Sequence, residues 1–207
     1  NTLLKLGRIK LDLLPNLFAG QSFSQELVLH KGHAIISGEH NKNKVEILVW
    51  ADVFRPNIHI EIKSQKNIHV KATYESWRFK ELFPQKRENN MNSWKWAPPH
   101  QVITYKDSVR INNNEILFYH QNRDFTAFDI VVKQQKMDAV KDSLYNPLRN
   151  LISGGILKGN NFEYKSTNRG RYMDTDFLGY VLASKRQAQK HHLQVSLFVD
   201  KAKDISS

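Results

Sequence analysis

The chain has 207 residues and carries 31 Lys and Arg against 20 Asp and Glu, a formal net charge of +11. It contains no cysteine, which excludes disulfides and thiol chemistry, and no apolar run approaches the roughly 20 residues that span a membrane. The length suffices for one large β-domain with its own core. The charge favours anionic partners, but the basic residues are spread along the whole chain, so an ordinary solvated surface is the simpler interpretation.

The first residues do not resemble a secretion signal. Residues 1–5 lack the charged region followed by a long apolar one that such a signal needs. Because the chain has no initiator Met and opens almost directly into a strand pattern, we expect an amino terminus that was cut.

Alternation of apolar and polar residues predicts strands through the first part of the chain. The first strand covers Leu3 to Leu14 and ends at Pro15, which has no N–H for a ladder. The second covers Phe23 to Leu29. A third starts at Ala34, and residues 38–43 are expected to form a polar tip.

The central stretch has the clearest pattern and predicts three strands. Apolar positions alternate in residues 45–49, 58–62 and 68–74. The segments between them, Asp52 to Pro56 and Ser64 to Asn67, are short. The three strands are therefore expected to form an antiparallel meander.

Residues 79–100 break the pattern and form a proline-rich loop of about 20 residues, a length that is usually functional or disordered. Strand patterns return in three short segments, 102–111, 115–121 and 125–133. One helix is expected between Gln134 and Leu151.

The last part of the chain is again strand-like. Strands are predicted at 156–158, 161–165, 177–184 and 191–199, with a polar loop over 167–176 and an exit linker after residue 199. About a dozen strands and one short helix favour an all-β fold, a large two-sheet antiparallel β-sandwich, in a single domain over residues 1–207.

Common catalytic and metal-binding motifs are absent from the sequence, including the P-loop, HExxH, GxSxG and CxxC patterns. The nine histidines invite a metal hypothesis. However, the neighbours His191 and His192 point to opposite faces of a strand, and His30 and His33 flank a turn with only Glu39 nearby. We therefore expect no metal site and no cofactor.

Three carboxylates lie on or beside the central strands, namely Asp52, Glu61 and Glu75. A glycosidase needs two facing carboxylates about 5 to 10 Å apart. Glu61 and Glu75 occupy solvent-face positions, where acidic residues are ordinary, so we expect no catalytic residue among them.

Aromatic and polar side chains suggest binding at two places. Trp77 can stack on a sugar face or fill the core, and Arg78 can form a bidentate contact with a carboxylate. Trp94 and Trp96 lie two residues apart in the proline-rich loop. If that loop is extended, both rings face one way and form a platform for sugars or single-stranded nucleic acid. The alternative is that these rings pin the loop to the sandwich.

His120 and Asn122 are in phase at the end of a predicted strand. Residues at strand ends often line sites, and a histidine satisfied within a turn is an equally good interpretation.

Seven stretches in this order resemble an uncharacterised bacterial domain family, which typically forms the amino-terminal β-domain of large proteins related to glycoside hydrolase family 95, the α-L-fucosidase group. No single stretch is specific, and the resemblance depends on the order of all seven over about residues 3–199. The stretches are residues 4–9, 48–52, 55–60, 75–78, 118–122, 146–150 and 153–155.

The resemblance implies a supersandwich fold like that of galactose mutarotase, packed on a carboxyl-terminal (α/α)6 barrel that carries the catalytic acid and base. It also implies a larger parent protein, of which this chain is a piece without the barrel, and a periplasmic or extracellular location. Related domains lend loops to the rim of the barrel's cleft. Six residues in matching stretches inherit this sugar-binding or barrel-contacting role: Asp52, Arg55, Trp77, Arg78, His120 and Asn122.

The residues and the resemblance together leave three hypotheses of function. The first is a non-catalytic docking domain that holds the barrel and helps to shape its carbohydrate cleft, and it predicts an exposed apolar or mixed patch. The second is a stand-alone binding module for acidic polysaccharide or, less favoured, nucleic acid, with salt-sensitive affinity. The third is a mutarotase-like enzyme, for which His120 and Glu75 are the candidate acid–base pair.

Overall fold

A computed structural model of the chain describes residues 6–20, 22–81, 103–173 and 175–202. These residues form eleven strands and one α-helix, which confirms a mainly β fold with one short helix. Two 3₁₀ helices cover Leu29–Lys31 and Asp138–Ser143. The strands and helix are β1 Arg8–Leu14, β2 Ser22–Val28, β3 His33–His40, β4 Asn43–Ala51, β5 Asn57–Ser76, β6 Ser108–Asn112, β7 Glu115–Gln121, α1 Ala127–Gln134, β8 Leu151–Gly159, β9 Phe162–Tyr172, β10 Thr175–Ser184 and β11 Ala188–Lys201.

The strands form two antiparallel sheets that share β5. The large sheet has the order β2-β3-β4-β5-β11-β8-β7-β6. In the small sheet, β5 lies between β1 and β10, and β9 pairs with β10. The first half of β5 belongs to the large sheet, where it pairs with β4 and β11. Its second half belongs to the small sheet, so this single strand joins the two layers of the sandwich.

The prediction of a turn between Ser64 and Asn67 was wrong, because β5 runs through these residues without a break. They lie where the strand changes partners, from Ser64 opposite Val45 to His69 opposite Leu14. The register of β11 against β5 also shifts at this point. At the crossing between the two sheets, the side chains of β5 face no apolar layer, so polar residues are tolerated there. A short polar segment between two apolar runs is typical of a turn, which explains the wrong prediction.

The core lies between the two sheets and is built from alternate residues of their facing strands. Tyr74 on the small sheet stacks on Phe118 of the large sheet, with ring centroids 4.0 Å apart. Ile62 and Ile68, on either side of the crossing in β5, are both fully buried. These contacts couple the two layers around one hydrophobic core.

Gly154 and Gly155 lie in β8 at a point of close approach between strands. A Cβ on Gly154 would overlap the carbonyl oxygen of Phe118, and one on Gly155 would lie 2.9 Å from the carbonyl oxygen of Ser196. Larger residues would therefore push β8 away from its neighbours.

The predicted helix was misplaced. Residues 125–133 were expected to form a strand, and α1 instead begins at Ala127 and ends at Gln134. Within the predicted helix 134–151, the structure has only the 3₁₀ helix of residues 138–143. The buried residues Ile130 and Val132 alternate with the exposed Val131, so this short segment imitates a strand pattern.

The start of α1 is fixed by local hydrogen bonds. The Thr126 backbone N–H donates to Oδ2 of Asp129 at 2.7 Å, and the Thr126 hydroxyl donates to the same oxygen at 3.0 Å. The Asp129 carboxylate thus satisfies the backbone N–H and the hydroxyl of the residue that precedes the helix. These hydrogen bonds favour a helix over a strand in this segment, a choice that the spacing of its apolar residues does not make.

Two predicted loops are strands. Residues 38–40 belong to β3, and the turn is confined to Asn41 and Lys42, both with positive φ. The expected polar loop over 167–176 is mostly the end of β9 and the start of β10, joined at Met173. Among the strands that the structure describes, β9 pairs with β10 alone, and as an edge strand it has an exposed and therefore polar sequence. Within the described residues, no helix is long and apolar enough to cross a membrane.

Candidate functional site

Two of the predicted site residues meet through a residue that the sequence did not single out. Arg78 follows the end of β5, His120 lies on β7, and Asp107 directly precedes β6. The Arg78 Nε donates to Oδ1 of Asp107 at 2.7 Å, and Nδ1 of His120 lies 2.8 Å from the same oxygen. We call these three residues the buried polar cluster.

The buried polar cluster is shielded from solvent. The side chains of Arg78 and Asp107 are 1% and 2% exposed, and His120 is also buried. The backbone supports the arrangement, since the Asp107 N–H donates to the Arg78 carbonyl oxygen at 2.6 Å. Burial raises the pKa of the nearby Tyr74 phenol, and the negative charge of Asp107 adds to this rise. The cluster therefore ties β5 to the start of β6 and to β7.

Glu75, near the end of β5, and Trp77, just after that strand, form a second group. The expectation that Glu75 faces solvent was wrong, because its side chain is fully buried and its Oε2 accepts from Nε of Arg8 at 2.7 Å. The Arg8 guanidinium also lies over the Tyr172 ring, 3.6 Å from its centroid. Trp77 is buried against Tyr172 and Phe177. This geometry favours the interpretation that Trp77 packs inside the domain and does not stack on a sugar.

The proposed acid–base pair is not assembled. His120 bonds to Asp107, whereas Glu75 bonds to Arg8. No hydrogen bond of the described residues joins His120 to Glu75. Alternation along β5 also places Glu75 on the face of the small sheet turned away from the core, opposite to that of Tyr74.

Asp52 and Arg55 lie in the connection between β4 and β5, far along the strand from Trp77 and Arg78. The twenty residues of β5 separate the two places, on the order of 60 Å of strand contour. Asn122 lies at the end of β7, where its Nδ2 donates to the Leu148 carbonyl oxygen at 2.9 Å. The sequence-predicted residues therefore do not form one site. Trp94 and Trp96 lie outside the described residues.

The β4–β5 connection is held in a defined shape by its own hydrogen bonds. The Phe54 N–H donates to Oδ1 of Asp52 at 2.8 Å, and the Asp52 N–H donates to the Asn57 carbonyl oxygen at 2.8 Å. This Asx turn leaves Val53 and Phe54 pointing outward, 89% and 93% exposed. Asp52, which lies in one of the stretches that resemble the family, therefore stabilises the backbone of this turn.

Three rings that the sequence did not single out meet on the outer face of the large sheet. Trp50 stacks on His59, with centroids 5.0 Å apart and planes 17° apart. Nδ1 of His59 lies 3.1 Å from Nε2 of His192. Burial and the neighbouring His59 lower the pKa of His192, although Glu61 opposes this. Trp50 was within one of the family-like stretches, but no pattern linked it to positions 59 and 192.

No metal site is evident in the parts of the chain that the structure describes, since they hold no group of three or more His, Asp or Glu residues arranged to bind an ion. His191 and His192 do point to opposite faces, as predicted. His191 is buried, with Nε2 3.0 Å from the Ile68 carbonyl oxygen, and His192 faces outward.

Similar proteins were found among solved structures. One is a bacterial glucoamylase complexed with acarbose, 11% identical over 94% of this chain with a TM-score of 0.40. Another is a putative kojibiose phosphorylase from the human microbiome, 12% identical over 98% of this chain with a TM-score of 0.35. The chain spans only 27% and 22% of these two proteins.

No curated protein matches the sequence. A family model described as a domain of unknown function, DUF5703, matches residues 1–207. The match covers the entire chain, and the protein therefore belongs to the DUF5703 amino-terminal domain family.

Proposed function

We propose that this chain is a non-catalytic β-sandwich domain of a glycoside-hydrolase-like protein related to family 95, in which it holds a catalytic (α/α)6 barrel and helps to shape a carbohydrate cleft. The observation that carries the proposal is a row of exposed apolar side chains along one end of the large sheet. We call this row the apolar rim. It consists of Leu29, Val53, Phe54 and Val199.

The strand register places the apolar rim at a single end of the sheet. His33, which starts β3 just after Leu29, lies opposite Trp50 at the end of β4. The β4–β5 connection follows, and the Leu197 N–H donates to the carbonyl oxygen of Pro56 within it. Val199 lies two residues further along β11. The rim thus extends over four neighbouring strands, about 14 Å across at the usual strand spacing.

Exposure of this kind favours contact with another protein surface. The four side chains are 69–93% exposed, and contiguous exposed apolar surface typically marks an interaction site. Phe54 projects from a turn that is already fixed by Asp52, so little conformational entropy is lost when it is buried. Arg55, exposed beside Phe54, would form part of the polar border of such an interface.

The polar residues that the family resemblance highlights fit this docking role better than a catalytic one. Arg78 and His120 are both engaged with Asp107 inside the domain, and Asn122 holds a backbone carbonyl. These bonds fix the loops that precede β6 and follow β7. A periplasmic or extracellular location belongs to the same proposal, because it comes from the resemblance.

The test is to produce the polypeptide that follows residue 207 in the parent protein as a separate chain and to measure its binding to this domain by calorimetry. The proposal expects a complex that Phe54→Ala weakens at least about tenfold. Phe23→Ala is the matched control, because Phe23 is 59% exposed at the opposite end of the large sheet. A following polypeptide without a helical barrel, or equal binding by both variants, would contradict the proposal.

A further inference from the structure

The outermost strand of the large sheet, β2, has an exposed edge. Among the described strands it pairs with β3 alone, and the pairs from Ser22 to Val28 follow one another without a register shift. Every residue of β2 except Val28 is exposed. In an antiparallel sheet, half of the N–H and C=O groups of an edge strand point away from its neighbour, so a regular, exposed edge is a template for another strand.

The sequence of β2 lacks the features that usually prevent such pairing, which are lysines, prolines and bulges. Its only charged side chain is Glu26, although the chain has a net charge of +11. The other edge strands that the structure describes, β1, β6 and β9, each carry at least one basic residue: Arg8 and Lys10, Arg110, and Lys165, Arg169 and Arg171. Basic side chains therefore protect those edges and leave β2 open to pairing.

Two apolar side chains of β2 would be covered by a partner strand. Phe23 and Leu27 lie on the face of the large sheet that is turned to the core, in the same rows as Val45 and Val49. They nevertheless lie beyond the border of the core and are 59% and 66% exposed. Phe23 makes an edge-to-face contact with Phe18, with ring centroids 6.0 Å apart. A strand added at β2 would extend this apolar face and bury both side chains.

The sequence of β2 is complementary to itself in the antiparallel direction. With a two-fold axis through Gln25, Phe23 lies opposite the partner's Leu27, and Ser24 lies opposite the partner's Glu26. Residues directly opposite one another share a face, so the apolar pair forms twice on the core side of the sheet. The hydroxyl–carboxylate pair forms twice on the other side, and the two Gln25 amides can bond to each other across the axis.

The neighbouring registers are poorer. A shift of two residues in either direction places Phe23 or Leu27 opposite the polar Gln25. The shift that moves the axis to Glu26 also brings two carboxylates face to face, and like charges directly opposite one another are destabilising. A shift of one residue is excluded, because it would place residues of different faces opposite each other. The side chains of β2 therefore favour the register centred on Gln25.

We infer that β2 pairs with β2 of a second copy of this chain, antiparallel and about a two-fold axis through Gln25, so that the two large sheets become one continuous sheet. Pairing along the whole strand gives about six to eight main-chain hydrogen bonds. It would bury less than the roughly 1,200 Å² of a standard interface, so we expect a weak dimer with a Kd on the order of 10–100 µM. The inference does not depend on the docking proposal, since β2 contains no residue of the apolar rim.

The first experiment measures the mass of this chain by sedimentation equilibrium between about 5 and about 500 µM. A monomer–dimer equilibrium is expected. Leu27→Lys and Phe23→Glu should each weaken it at least about tenfold, because each places a charge opposite an apolar side chain. An equimolar mixture of the two variants should recover dimers, since a mixed dimer contains one opposite-charge pair and one intact Phe23–Leu27 pair. Unfolding midpoints should change little, because both side chains are exposed.

A second experiment tests the position of the axis. The chain has no cysteine, so Gln25→Cys introduces a single thiol at the proposed axis. Opposite Cα atoms of an antiparallel pair lie about 4.5–5.5 Å apart, within the range that a disulfide spans. Mild oxidation should therefore link most of the Gln25→Cys variant into covalent dimers. His30→Cys, at an exposed position just beyond β2, is the matched control and should remain mostly monomeric.

Phe54→Ala distinguishes this inference from the docking proposal, because it alters the apolar rim and should leave the dimer unchanged. The inference is overturned if the chain sediments as a monomer at about 500 µM. It is equally overturned if Leu27→Lys dimerises as well as the unaltered chain, if Phe54→Ala abolishes the dimer, or if Gln25→Cys and His30→Cys form disulfides to the same extent.

Discussion

The guanidinium Nε of Arg78 lies 2.7 Å from Oδ1 of Asp107, although 29 positions separate the two residues in the sequence. Both side chains are almost completely buried, and His120 shares the same carboxylate oxygen. A charge pair without access to water is held together mainly because either partner alone would be costly in the interior.

Removal of the Asp107 carboxylate should therefore destabilise the domain severely. We expect Asp107→Ala to lower the free energy of unfolding by about 3–5 kcal/mol, since it leaves charged Arg78 buried without this partner. Denaturant unfolding measures the change. Asp12→Ala, which removes an exposed pair with Lys10, should cost no more than about 1 kcal/mol, and a similar cost for both would show that burial is irrelevant here.

Tyr74 should stabilise the domain through its hydroxyl as well as its ring. The hydroxyl donates to the Leu6 carbonyl oxygen at 2.6 Å, so Tyr74→Phe should cost about 1–2 kcal/mol. Thermal unfolding compares it with Tyr145→Phe, which alters an exposed hydroxyl near Lys201 and should change stability by less than about 0.5 kcal/mol.

The same phenol should make the domain sensitive to alkali. Burial raises the pKa of Tyr74 above the ordinary value of 10.0, so above that pH the unfolded chain releases a proton that the folded chain retains. Stability should therefore fall as pH rises beyond about 10. Tyr74→Phe should show a smaller decrease, and equal slopes for the two proteins would contradict this assignment.

Two histidines should weaken the fold in mild acid. Burial lowers the pKa of both His191 and His192 below 6.5. The unfolded chain then binds more protons than the folded one just below that value, so stability is lost as pH falls through it. His191 faces His69, and His192 faces His59 and Glu61.

The measurement is the denaturant midpoint between about pH 8 and about pH 5, a window in which most carboxylates stay ionised. Replacement of His191 by Gln should make the decrease of the denaturant midpoint with falling pH less steep. His30→Gln, on the exposed 3₁₀ helix, is the control and should leave the slope unchanged.

The cap of α1 predicts a separate loss of stability at lower pH. Burial alone would raise the pKa of Asp129, but hydrogen bonds from Lys141 and Thr126 outweigh it and hold the pKa below 3.8. The cap is therefore present above that pH and is lost as pH falls through the lowered pKa. Asp129→Ala should cost about 1–2 kcal/mol at neutral pH, whereas Asp138→Ala, at the exposed 3₁₀ helix, should cost less.

Strand identity could be predicted wherever one face of a strand is buried. The segment 115–121 was located with its exact bounds, and Val45, Ile47, Ile60 and Ile62 were placed on buried faces that the structure confirms. Prediction failed where other forces decide, as at the polar crossing of β5, along the edge strand β9 and at the Thr126 cap.

The sequence by itself determined the class of fold, because alternation of apolar and polar residues specifies which face each strand buries. It also placed Arg78 and His120 among the notable residues. The tertiary structure alone decided that Asp107 joins them, that Glu75 pairs with Arg8, and that Trp50, His59 and His192 meet. Such contacts depend on strand order and register across the whole chain, which no local pattern encodes.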